Sequence, residues 1–214
     1  GRDEESWSLE YVVLPGDPSS PHVWADLDSI LFAEYERADG AKMTVKATCI
    51  DTGGHHTQSV YRYVKSREGR RVFGIKGIGG EGKPLVGRPA KNNIGKVKLF
   101  PIGVDTAKEL VYSRLRILEH GPGFCHFPEG RDQEYFLQLT SEKLVTRYVR
   151  GHPKRIWMKK RRRNEALDVR VYALAAYYIS GVNVNIMTTQ QKSKTRKASG
   201  KSRARGSGFV QGWR

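Results

Sequence analysis

Two cysteines in 214 residues, Cys49 and Cys125, are too few for a disulfide scaffold, and each sits inside an apolar stretch, as thiols of a reducing compartment do. Long apolar runs are missing as well. None approaches the ~20 residues of a spanning helix, and the basic segments lack the apolar face of a membrane-surface helix, so no membrane partner is expected. The opening Gly1-Arg2-Asp3-Glu4-Glu5 has none of the character of a signal peptide. Paired metal-ligand spacing is also lacking: Cys49, His55, His56, Cys125 and His126 form no C-x-x-C pattern, which argues against a structural zinc. Acids are scarce, 22 against 38 Lys and Arg, and none follows Asp168. The resulting charge of +16 and pI near 10.0 exceed what solubility needs. They favour a polyanionic partner, nucleic acid first, because Lys and Arg gain affinity by releasing counterions from phosphates. At 38% hydrophobic the chain can bury one core and carry a tail, so the expected organisation is one domain over residues 1–180 and a basic, disordered tail over 181–214.

What is present centres on one acid. Met43, Val45, Ala47 and Cys49 alternate with Thr44, Lys46 and Thr48 at the period of a half-buried strand that ends on Asp51. Gly53 and Gly54 then allow a turn, and residues 57–66 read as the following helix. An acid at the carboxyl end of a strand in an α/β sheet stands where such folds place chemistry, although capping the next turn would also account for it. Upstream, residues 6–14 alternate as a strand, and Ser20-Pro21 opens a helix that should run to Gly40. Downstream, residues 71–75 and 97–104 read as strands, and Asp105 stands at the head of a helix with Leu110, Val111 and Leu115 inward. Residues 124–128 read as a short strand, and one or two helices are expected between Gln133 and Val149.

Two stretches bear on anion binding. Gly77, Gly79 and Gly82 fit G-x-G-x-x-G, and Gly77 to Lys83 match the first seven positions of a nucleotide phosphate loop. Pro84 then replaces the required hydroxyl and no helical period follows, so no nucleotide site is assigned. The loop instead reads as a mobile basic segment near a phosphate backbone, with Lys76, Lys83, Arg88 and Lys91 along it. The second stretch, Arg150 to Arg163, holds Lys159, Lys160, Arg161, Arg162 and Arg163 among its cations and no acid. It leads into Asn164-Glu165-Ala166-Leu167-Asp168, the head of a helix apolar enough to be buried, with Glu165 and Asp168 one turn apart. A buried acid needs a bound cation or a positive neighbour, here one of the arginines. From Gln190 on, the composition is that of a disordered tail, carrying Phe209 and Trp213 near its end.

An acid ending a strand, a basic surface and a second acid heading a late helix make the pattern of a two-metal nuclease, whose oxygen ligands select Mg²⁺ or Mn²⁺. The order of Asp3-Glu4-Glu5-Ser6-Trp7, Asp51-Thr52-Gly53-Gly54, Ile75-Lys76-Gly77, Asp105-Thr106-Ala107-Lys108-Glu109, His126-Phe127-Pro128, Leu139-Thr140-Ser141-Glu142 and Arg163-Asn164-Glu165-Ala166-Leu167-Asp168 resembles the large terminase subunit of lambda-type tailed bacteriophages. The resemblance runs from Asp3 to about Ile179. It implies an α/β, RNase H-like endonuclease domain, a mixed central sheet flanked by helices, that cuts concatemeric double-stranded DNA with two metal ions. It also implies the small terminase subunit and the portal protein as partners and the cytoplasm of the infected host as the location. By position, Asp51 and Asp168 are catalytic metal ligands, and Asp105, a second acid at a strand end that sits in a matching motif, is expected as a further metal ligand. The family's first metal-binding Asp lies on a strand preceding anything present here, so the chain is expected to lack its first strands and to leave the Asp51 strand with an open edge. Such a chain should cut poorly alone. A DNA- or portal-binding fragment without catalysis is the alternative, and a transposase-like enzyme fits the motifs less well.

Overall fold

In the computed structural model of the chain, residues 1–186 are described. The elements run in chain order as β1 (Ser6–Trp7), α1 (Pro21–Leu31), β2 (Glu34–Glu36), β3 (Lys42–Thr44), β4 (Thr48–Asp51), α2 (Thr57–Ser66), β5 (Val72–Ile78), β6 (Ala90–Lys91), β7 (Lys98–Gly103), α3 (Val104–Arg114), β8 (Cys125–His126), α4 (Gln133–Leu139), β9 (Glu142–Val149), β10 (His152–Lys159) and α5 (Glu165–Ser180). The central sheet has the order β4-β5-β7-β6, with β4, β5 and β7 parallel and β6 antiparallel at one edge. Among the described residues β4 pairs on one side alone, with β5.

Alternation along the strands divides the core in two. Val72 and Leu99 face one side, where they meet Ile50, Tyr63 and Val64, with Trp24 and Leu27 of α1 packed behind. Phe73, Ile75, Phe100 and Ile102 face the other, against Ala107 and Val111 of α3, Tyr135 and Leu139 of α4, and Leu167, Val171 and Ala175 of α5. The result is three layers, helix, sheet and helix, as expected for strands buried on both faces. Ile75, Ile102 and Leu167 are fully buried, each contributing roughly 1.5–3 kcal/mol. Across the first layer Arg67, at the C-cap of α2, holds Asp28 of α1 in a bidentate pair, its Nε at 2.7 Å, and the Tyr63 hydroxyl donates to the same carboxylate at 2.7 Å. These hydrogen bonds, the arginine's foremost, keep the Asp28 carboxyl below its usual range.

Several local expectations give way to tertiary context. Of residues 6–14 only Ser6–Trp7 pairs, in parallel with β8. The first helix stops at Leu31, and residues 34–44 form the β2–β3 hairpin, so Met43 and Cys49 belong to different strands with 45–47 between them. After α4 the chain enters β9 rather than a second helix, and the basic run supplies the partner strand β10. This ribbon reads poorly from sequence, because apolar residues and cations are mixed on both of its faces, Leu144 and Trp157 with Arg155 on one and Val145, Ile156 and Met158 with Lys143, Arg147 and Lys154 on the other. The loop of residues 79–89 is tied down. Gly80 N donates to Asp105 Oδ2 at 2.9 Å, Thr106 Oγ1 to Lys83 O at 2.6 Å, and Gly103 N to Pro84 O at 3.2 Å. Gly181, at φ 64°, ends α5 in the left-handed conformation that favours glycine. The tail read over Gln190 to Arg214, with Phe209 and Trp213, lies outside the described residues apart from its approach.

Candidate active site

The site is built where the end of β4 meets the head of α5. Asp51 is the last residue of β4 and is exposed. Its Oδ1 accepts from Gly53 N at 3.0 Å, and a Cβ at position 53 would come within 3.3 Å of that oxygen. Glycine thus favours close approach there rather than an unusual φ, since neither Gly53 nor Gly54 has a positive one, and a side chain at 53 would push the Asp51 carboxylate aside by a few tenths of an ångström. Buried Thr52 anchors the turn by donating its hydroxyl to Ile75 O at 2.9 Å.

Across from it, Tyr172 of α5 donates its hydroxyl to Asp51 Oδ2 at 3.1 Å. Tyr172 follows Asp168 by one helical turn, so both rise from one face of α5. Burial, then the negative charges of Asp51 and Asp168, then the hydrogen bond to Asp51 all push the Tyr172 phenol up. Asp51 thus accepts from the hydroxyl, and Asp168 lies near enough for its charge to be felt there. Asp168 is half-buried, and its carboxyl is raised first by desolvation. Glu142 and Asp51 raise it further, while Lys108 and Lys159 oppose them.

Glu142 is the residue that reasoning from sequence left out of the site. It opens β9 at 3% exposure, accepts from Lys108 Nζ at 2.8 Å and from Asn164 Nδ2 at 3.1 Å, and Asn164 Nδ2 also donates to Asp168 Oδ2 at 3.0 Å. Its position inside the Leu139-Thr140-Ser141-Glu142 motif was the available signal. The positive neighbours of Asp168 are lysines and not the arginines of the preceding run. Glu165 does not share its environment: it is exposed and pairs with Arg163 at 3.4 Å. Nor is α5 buried throughout, for Val169 and Tyr178 are 48% and 42% exposed.

Asp105 lies elsewhere. The cap position of α3 is Gly103, and Asp105, in the first turn, binds the loop through Gly80 N at the end of β7, two strands from β4. Lys76, Lys83 and Arg88 are exposed along β5 and the loop that follows. Lys160, Arg161, Arg162 and Arg163 are exposed between β10 and α5, whereas the Lys159 ammonium goes to Asn164 Oδ1 at 2.9 Å. The outer face of the β9–β10 ribbon, away from Tyr112, carries Lys143, Arg147, Lys154 and His152 interleaved with Val145, Val149, Ile156 and Met158, a partly basic surface that the sequence pattern did not reveal. Arg147 and Lys154 stand directly opposite each other, a like-charge pair that costs stability unless an anion lies over it.

Cys49 packs into the core beside α5, and burial pushes its thiol up to about 12, so it is an inert apolar residue here. His126 pairs with Glu5 at 2.7 Å and stacks on Trp7. Among the described residues no three His, Cys, Asp or Glu side chains gather closely enough to hold a metal ion. Two carboxylates at the junction of β4 and α5, one of them raised by burial and by acid neighbours that include the other, nevertheless suit a single hard divalent cation, whose charge would relieve that repulsion. No helix among the described residues is long and apolar enough to cross a membrane.

Residues 1–192 match the family described as "Terminase large subunit gpA, endonuclease domain". The chain is 40% identical over 187 residues to the terminase large subunit of Escherichia phage lambda, an alignment covering 84% of this chain and 29% of that protein. It is 34% identical over 185 residues to the terminase large subunit of Enterobacteria phage P21, covering 83% and 29%. The chain thus spans less than a third of the length of these relatives. No solved structure matches it.

Proposed function

This chain belongs to the endonuclease-domain family of the terminase large subunit, and from that premise we propose that it cuts double-stranded DNA for phage packaging by metal-assisted phosphodiester hydrolysis. The observation that carries the reading is that Tyr172, one helical turn beyond Asp168 on α5, hydrogen-bonds Asp51 at the end of β4 and so brings the two acid-bearing elements to one junction, with exposed basic residues on β5 and ahead of α5. Asp51 and Asp168 would hold Mg²⁺ or Mn²⁺. Bound there, the cation would supply an activated water and stabilise charge on the leaving oxygen. Gly53 N and Tyr172 orient the Asp51 oxygens, and Asn164 orients one oxygen of Asp168. Lys76, Lys83, Arg88 and Lys160 to Arg163 would meet phosphates. A second ion would need a further ligand; Glu142 is the acid nearest in the network, but Lys108 neutralises it.

The parallel β4-β5-β7 order with helices on both faces supports an RNase H-like fold. The small terminase subunit and the portal protein are the proposed protein partners, and the host cytoplasm is the proposed location. A second reading, a DNA- or portal-binding fragment without catalysis, draws on the lack of a three-acid cluster among the described residues. Nicking of supercoiled plasmid separates the two. The expected result is slow Mn²⁺-dependent nicking by the chain, faster nicking when it is extended upstream, and loss of both in Asp168→Asn. Nicking by neither form, with DNA binding intact, would favour the second reading.

A further inference from the structure

Asn164 occupies the N-cap of α5, where an Asn side chain ordinarily accepts a hydrogen bond from the second or third helical amide. It makes no such bond. Its amide is committed elsewhere: Nδ2 donates to Glu142 Oε1 at 3.1 Å and to Asp168 Oδ2 at 3.0 Å, and Oδ1 accepts from Lys159 Nζ at 2.9 Å. At 8% exposure the side chain has little water to turn to. Both donor hydrogens and the acceptor are used, which fixes the amide's orientation. A flip would set its oxygen against two carboxylates and its NH₂ against an ammonium.

The groups that fix it come from three elements. Glu142 and Lys159 are register partners, the first rung of the β9–β10 ribbon, and Lys108 of α3 holds the second oxygen of Glu142 at 2.8 Å. We propose that Asn164 is a positioning residue for Asp168, clamped by the root of the β9–β10 ribbon and by Lys108, so that one Asp168 oxygen is held in place while the other faces the cation. The inference rests on the assignment of Asp168 to a cation. It adds that the helix gives up a cap so that the acid is oriented, as ligand carboxylates generally are by outer partners. It also makes the ribbon, which carries the Arg147 and Lys154 pair outward, continuous with the site through a single amide.

The test uses the whole chain and Asn164→Ser, because serine is as good an N-cap as asparagine but has no amide. Mn²⁺ alone is titrated and its affinity read from thermal melting. The expected result is a loss of Mn²⁺ affinity of about tenfold or more in Asn164→Ser. Lys159→Arg should retain the parent affinity and Lys159→Met should not. In parallel, the two side-chain amide protons of Asn164 are followed by ¹⁵N–¹H spectroscopy on the metal-free chain, assigned by their disappearance in Asn164→Ser. Both should exchange slowly, one shifting in Asp168→Ala and the other in Glu142→Gln. Equal Mn²⁺ affinity in parent and Asn164→Ser, or amide protons that exchange like exposed ones, would overturn the proposal. Should the parent bind no Mn²⁺, the metal-dependent reading of the function fails, and the amide protons alone decide whether Asn164 holds Asp168.

Discussion

The Tyr172 hydroxyl reaches Asp51 Oδ2 at 3.1 Å from a position one helical turn beyond Asp168. This bond joins the last residue of β4 to the helix that carries the second acid. Removing it with Tyr172→Phe should leave the fold intact, because the ring keeps its packing. A hydrogen bond to a charged group contributes roughly 1.5–3 kcal/mol, so Mn²⁺ binding should weaken by about tenfold if the bond orients Asp51 for the cation. A melting titration of the variant checks this, and unchanged affinity would show the hydroxyl to be a bystander.

Asp168 should make stability depend on pH in an unusual direction. Its carboxyl is raised, chiefly by burial, so folding favours the protonated form. The contribution is fully present below the unfolded carboxyl range and is lost as pH rises through the folded value, leaving a cost at neutral pH. Without metal, Asp168→Asn should therefore melt higher than the parent at pH 7, and the difference should vanish as the pH falls below that of a normal Asp. A variant that melts lower at pH 7 would mean that Lys108 and Lys159 more than offset the burial.

Glu142 should be essential to the fold irrespective of chemistry. Its partner Lys108 has a side chain only 12% exposed, so Glu142→Ala would leave a buried ammonium without a counter-charge. A loss of about 3–5 kcal/mol is expected, measurable by urea denaturation, and Glu142→Gln should lose less because it keeps an acceptor. A loss below about 1 kcal/mol would mean that Lys108 escapes to water.

These residues also mark where the sequence was legible. Asp51 as the end of a strand, helix α2 and the late helix α5 could be read directly, because short apolar runs bounded by glycine or by an N-cap carry their own periodicity. The ribbon could not. Its apolar residues are split between two faces, Leu144 with Trp157 beside Tyr112 on one and Val145, Ile156 and Met158 on the other, with cations among them on both, so the run read as charge rather than as a strand. Glu142 was hidden for a related reason: an acid is assigned to the surface unless its partner is known, and Lys108 is 34 residues away. Asp105 shows the converse, a good helix-start pattern whose carboxylate is used by a loop amide from β5's far end.

The outer face of the ribbon should contribute to DNA affinity through phosphates. Replacing Arg147 and Lys154 together with Ala should reduce the slope of log affinity against log salt by about 1.8, if each meets one phosphate. The same change should slightly stabilise the free chain by removing a like-charge pair. Fluorescence anisotropy with a short duplex at several salt concentrations measures the first effect, and an unchanged slope would place the DNA elsewhere, along Lys76, Lys83 and Arg88.

The central claim is that Asp51 and Asp168 serve one divalent cation together. Calorimetric titration of Mn²⁺ into the parent, Asp51→Asn and Asp168→Asn tests it most directly. Binding should be present in the parent and lost to the same extent in each single variant, because neither carboxylate suffices without the other. Binding that survives either substitution at parental affinity would contradict the account and move the metal away from the junction of β4 and α5.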